Sequence, residues 1–83
     1  MFDDNVMQIK TLFGYRIELH TGTEQGEDRS DCTITKKFNG AMYGGSLDLL
    51  ESHEGLYDDN EAFIPVRKSI IDQIFTWAES HGY

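Results

Sequence analysis

The chain has 83 residues, with 7 lysines and arginines against 15 aspartates and glutamates, for a formal charge of −8. That length fits a single domain spanning residues 1–83, close to the smallest that folds unaided. A 39% hydrophobic and 12% aromatic content argues against intrinsic disorder. The longest apolar run is three residues, too short for a transmembrane helix. Phe2, Asp3 and Asp4 open the chain with no apolar segment after them, unlike a secretory signal. Cys32 is the single cysteine, which excludes an internal disulfide and a cysteine metal cage. The expected compartment is the cytoplasm.

Residues 7–19 alternate with a period of two. Met7, Ile9, Phe13, Tyr15, Ile17 and Leu19 share one parity, and Gln8, Lys10, Gly14, Arg16, Glu18 and His20 the other. Successive side chains of a strand point to opposite faces, so this pattern predicts one long, bent or bulged β-strand. A hairpin turning at Phe13-Gly14 would place Gln8 and Lys10 on the same face as Tyr15, Ile17 and Leu19. Parity disfavours it.

Asn39-Gly40 predicts a hairpin, since both central residues of a type I′ turn need positive φ. The implied register sets Phe38 opposite Ala41, Lys36 opposite Tyr43, Ile34 opposite Gly45 and Cys32 opposite Leu47. One face then carries Cys32, Ile34, Phe38, Ala41, Tyr43 and Leu47, with Leu49 beyond. Residues 20–31 contain no apolar side chain and read as an exposed loop, as does 51–61 apart from Leu56 and Tyr57. Ala62-Phe63-Ile64 reads either as a fourth strand or as the lead-in to a helix.

Pro65 suits a first helical position. Val66, Ile70, Ile71, Ile74, Phe75, Trp77 and Ala78 follow at helical spacing, and Gly82 stands where a helix-ending glycine would. The expected fold is therefore α+β in two layers. An antiparallel β-sheet of three strands, or four with 62–64, packs against one C-terminal α-helix.

Chemistry-bearing residues are sparse. His20, His53 and His81 lack a second histidine or cysteine at ligand spacing. Cys32 falls on the apolar parity, the position of a buried small hydrophobe and not of an activated nucleophile. Asp58-Asp59-Asn60-Glu61 lacks the alternating ligands and central glycine of a calcium loop. No glycine-rich stretch leads into Lys-Ser/Thr and a helix. Catalysis, metals and cofactors are not expected.

Charge placement carries more information. Glu24, Glu27, Asp28 and Asp31 share their stretch with Arg29 alone, and Asp48, Glu51, Glu54, Asp58, Asp59 and Glu61 share theirs with no base. Tyr57 lies in the second stretch as a candidate anchor, whereas Tyr83 reads as a frayed end. Such carboxylates repel nucleic acid and attract proteins with basic grooves.

In its shortness, acidity and scarcity of cysteine, the chain resembles the small proteins of phages and prophages that inhibit CRISPR effectors or restriction enzymes. The resemblance implies a cofactor-free inhibitor that mimics nucleic acid and acts inside a bacterial host cell. Its partner would be a protein with a basic nucleic-acid-binding surface, and it would touch neither nucleic acid nor membrane. An immunity or antitoxin protein against a basic toxin, and an accessory subunit forming a homodimer through a sheet edge, are the alternatives.

Overall fold

The computed structural model describes residues 3–83, with side chains from Val6 onward. The side chains of the charged start at Phe2, Asp3 and Asp4 lie outside the described residues. Eight elements follow in order: β1 (Asp3–Leu12), β2 (Tyr15–Glu24), β3 (Glu27–Phe38), β4 (Ala41–Ser46), α1 (Leu47–His53), β5 (Gly55–Tyr57), β6 (Phe63–Pro65) and α2 (Lys68–Ser80). The strands form one antiparallel sheet in sequential order, β1-β2-β3-β4-β5-β6. This corrects the expectation of three or four strands and one helix.

Residues 7–19 are two strands and not one, and β5 lies in 51–61, which reads as loop apart from Leu56 and Tyr57; β6 is the optional strand at 62–64. Phe13-Gly14 is a turn after all, with φ of 49° and 81°, and Leu12 pairs with Tyr15 across it. Residues 20–31 are also not a loop: β2 runs to Glu24, turns at Gln25-Gly26 (φ 54° and 84°), and returns as β3. With Asn39-Gly40 (φ 50° and 79°), three X-Gly turns of the same backbone shape fold β1 to β4 into a meander. At Asn39-Gly40 the sequence-derived register holds for Phe38 with Ala41, Lys36 with Tyr43 and Ile34 with Gly45. It fails at Leu47, which belongs to α1.

α1 was also unexpected. Ser46 sits in extended conformation and its hydroxyl accepts from the Leu49 N–H at 3.2 Å, which starts a helix where alternation predicts continued strand. Leu47 and Leu50, three apart, then turn into the core. Pro65 ends β6 and does not open the helix, since α2 begins at Lys68. At its other end Gly82 adopts φ 105°, the Gly82 N–H bonds the Glu79 carbonyl at 3.4 Å, and the Tyr83 N–H bonds the Ala78 carbonyl at 2.9 Å. This is the Schellman arrangement, and it fixes the last residue.

Both helices cover the face of the sheet that carries Tyr15, Ile17 and Leu19 of β2, Cys32 and Ile34 of β3, and Tyr43 of β4. Leu47 and Leu50 from α1, Leu56 from β5, and Ile71, Ile74 and Ala78 from α2 complete the core. Cys32 is buried there, and burial pushes its thiol up to about 11. Trp77, at helical spacing with the apolar residues, is only half-buried. Among the described residues no helix is long and apolar enough to cross a membrane.

Candidate acidic interface

The meander decides which carboxylates meet. Successive turns alternate between the two ends of the sheet, so the Gln25-Gly26 turn and the 58–62 turn lie at opposite ends. The two acidic stretches therefore do not form one continuous face.

The first stretch stays together on the β2–β3 hairpin. Glu24 stands directly opposite Glu27, Thr23 opposite Asp28, and His20 opposite Asp31. By alternation Glu24, Glu27, Arg29 and Asp31 point to the helix-free face and Asp28 to the other. Arg29 Nη1 reaches Glu24 Oε1 at 3.4 Å, which leaves this end strongly negative. Like charges set directly opposite in a β-ladder destabilise it. Closer to the middle of β2, the Arg16 guanidinium holds the Glu18 carboxyl below its usual range, with His20 adding to the effect.

Asp48 is the member of the second stretch that joins this end. It lies in the first turn of α1, and its Oδ1 accepts from the Tyr83 hydroxyl at 3.0 Å. Burial, the Asp48 bond, and the charges of Asp48, Cys32 and Asp31 push the Tyr83 hydroxyl up to about 12. Carboxylates from both stretches thus act on one phenol. Tyr83, expected to fray, is tied to Asp48 by that bond, and Asp31 acts on it only through its charge. Its signal was present as an aromatic residue just after the helix-ending glycine, where a Schellman motif places an apolar contact. The contact here is with the ring of Phe75, 6.3 Å between centroids.

The remaining acids are elsewhere. Glu51 and Glu54, at the end of α1, share a cavity of about 360 Å³ with Lys68 and Asp72 of α2. Tyr57 is half-buried, its ring 5.0 Å from that of Phe63 and its hydroxyl 3.2 Å from His53 Nδ1. Asp58 is a turn former: its Oδ1 accepts from the N–H of Asn60 at 2.9 Å and of Ala62 at 2.7 Å. Asp59 and Glu61 are exposed at the end opposite the Gln25-Gly26 turn, with Glu61 at φ 63°.

The basic side chains gather mainly toward the end away from Gln25-Gly26. Lys36 donates to the Phe13 carbonyl at 3.4 Å and lies over the Tyr15 ring, 4.6 Å from its centroid. Arg67 lines a shallow pocket with Phe13 and Ile70. Among the described residues no three histidines, cysteines or acids come together as metal ligands. No protein-family model matches the chain, and no curated protein or solved structure is significantly similar to it.

Proposed function

We propose that the protein is a non-enzymatic inhibitor that docks the acidic end of its β2–β3 hairpin into the basic groove of a nucleic-acid-handling protein. The observation that carries this reading is Glu24 facing Glu27 across the hairpin, with Asp28 and Asp31 close by and Arg29 the one base. Arg29 offsets Glu24, but the mutual repulsion of carboxylates gathered at one end remains, whereas solubility alone is served as well by acids set apart. In a basic groove that repulsion becomes attraction, and it competes directly with phosphate. Asp48 extends the contact surface on the helix side, while Asp58 serves the fold. We place its action in the cytoplasm of a bacterial host cell, where a single free cysteine stays reduced.

Affinity capture from host lysate tests the reading. The wild-type protein should retain a nuclease, restriction enzyme or CRISPR subunit, and added duplex DNA should displace it. Combined Glu27→Lys, Asp28→Lys and Asp31→Lys should abolish retention, while Asp59→Lys at the opposite end should not. Retention that survives the triple reversal would remove the acidic hairpin from the mechanism. A toxin recovered in place of those proteins would make the chain an immunity protein.

A further inference from the structure

We infer that two copies of this chain pair through the open edge of β1, antiparallel and centred on Gln8, to form one continuous sheet. The two edges of the sheet differ in how well they resist pairing. β6 is three residues long, ends in Pro65, and follows a turn carrying Asp58, Asp59 and Glu61. Short length, proline and charge are the usual protections of an edge strand. β1 is ten residues long, and between Val6 and Leu12 it has no proline, no acid and no bulge. Val6, Met7 and Ile9 are 50%, 53% and 45% exposed, so this edge is apolar on both faces.

The hairpin geometry gives the register. Leu12 and Tyr15 flank a two-residue turn and exchange both of their hydrogen bonds. Counting back by twos, the N–H and C=O groups of Leu12, Lys10 and Gln8 face β2, and those of Thr11, Ile9 and Met7 face away. A two-fold axis at Gln8 sets Met7 against Ile9 of the second copy, twice. The outward groups then bond each other, and four apolar side chains close into one patch on the helix-free face.

A second copy suits this edge because the two-fold register opposes Met7 to Ile9 and sets no acid against another along residues 6–12. Each copy carries −8, so self-association needs a seam without opposed acids. The groove of about 400 Å³ behind β1, lined by Lys10, Leu12, Asp72 and Trp77 among others, holds one cation and one anion. In the paired sheet Val6 of the second copy stands beside Lys10 and covers this groove, where Trp77 is half-exposed.

Light scattering on the full chain should give twice the 9.5 kDa chain mass. The emission of the single tryptophan should shift to the blue as concentration rises through the transition. Ile9→Lys should give a monomer with an unchanged circular dichroism spectrum. Gln8→Cys should cross-link to its own counterpart under mild oxidation, since opposed residues of a non-hydrogen-bonded pair lie within disulfide reach. Lys10→Cys, set opposite Val6, should not. A monomer at every concentration would overturn the pairing, as would a dimer that persists in Ile9→Lys. A wild-type dimer whose Gln8→Cys form fails to cross-link would overturn the register.

Discussion

The Tyr83 hydroxyl donates to Asp48 Oδ1 at 3.0 Å and ties the last residue to the first turn of α1. The phenol has its folded pKa raised from 10.0 to about 12, chiefly by burial and then by Asp48. Its contribution to stability is therefore complete below pH 10 and is lost as pH rises toward 12, because the unfolded chain ionises first. Tyr83→Phe should lose less stability than wild type between pH 10 and 12 in urea titrations. At pH 7 it should cost no more than about 1 kcal/mol, one hydrogen bond at a solvated site. Cys32 is pushed toward about 11 and its charge also raises Tyr83, so the comparison is made in a Cys32→Ala background, where the difference isolates Tyr83.

Phe13 occupies a left-handed conformation (φ 49°) in a type I′ turn, with its side chain 64% exposed. That conformation costs a bulky residue about 1–2 kcal/mol, and asparagine tolerates it better. Phe13→Asn should raise the urea midpoint by the equivalent of about 1 kcal/mol at constant m-value. Gly14→Ala should do the opposite by about 1–2 kcal/mol. Its φ is 81°, and an added Cβ would sit 2.7 Å from Lys36 Nζ, displacing the ammonium from the Phe13 carbonyl.

The same turn shows where the sequence misleads. Uniform parity from Met7 to Leu19 argues for one strand only if both halves bury the same face, and β1 does not. Met7 and Ile9 point away from the helices, while Gln8 and Lys10 share the face of Leu19 and Ile17. An edge strand lying at the margin of the helix layer has little to gain from alternation, so its pattern carries no information about the core. Asn39-Gly40 is legible because turn chemistry and parity agree there. Gln25-Gly26 lies in a stretch without apolar residues, where the β-structure comes from pairing with neighbours. α1 depended on Ser46 and the Leu47–Leu50 spacing, a signal of only a few residues. The acidic hairpin is visible as composition, but its separation from Asp58, Asp59 and Glu61 follows only from the number of strands between them.

Ile74 and Trp77 occupy the same helix with different exposure. Ile74 is fully buried among core residues, whereas Trp77 is half-exposed and its ring lies against His81, 4.8 Å between centroids. Ile74→Ala should cost roughly 2–5 kcal/mol. Trp77→Ala should cost only about 1–2 kcal/mol, since part of its surface already faces water. Denaturant unfolding at low protein concentration checks the order. A larger loss at Trp77 would mean that the indole, not the isoleucine, seats the helix on the sheet.

Gly55 has no room for a side chain. A Cβ there would run into the Phe63 ring and the backbone carbonyl of Ile64, and a carbonyl within the ladder cannot turn aside. Gly55→Ala should cost at least about 1–3 kcal/mol. The loss should fall first on β5 and β6, seen as faster amide exchange at Leu56 and Ile64 than in Ile17 and Ile34.

Asp58 and Asp59 are neighbours in sequence with opposite roles. Asp58 closes the β5–β6 turn by accepting two N–H bonds, and its own N–H donates to the Ala62 carbonyl at 3.0 Å. Removing a charged acceptor leaves those N–H groups to water and releases the strand that carries Phe63 onto Tyr57 and Gly55. Asp58→Ala should therefore destabilise the protein by about 1.5–3 kcal/mol, and Asp59→Ala should change it by less than about 0.5 kcal/mol. Asp58→Asn, which keeps one acceptor oxygen, should fall between them. Equal effects of the two alanine variants in thermal unfolding would show that the turn is held by its backbone alone.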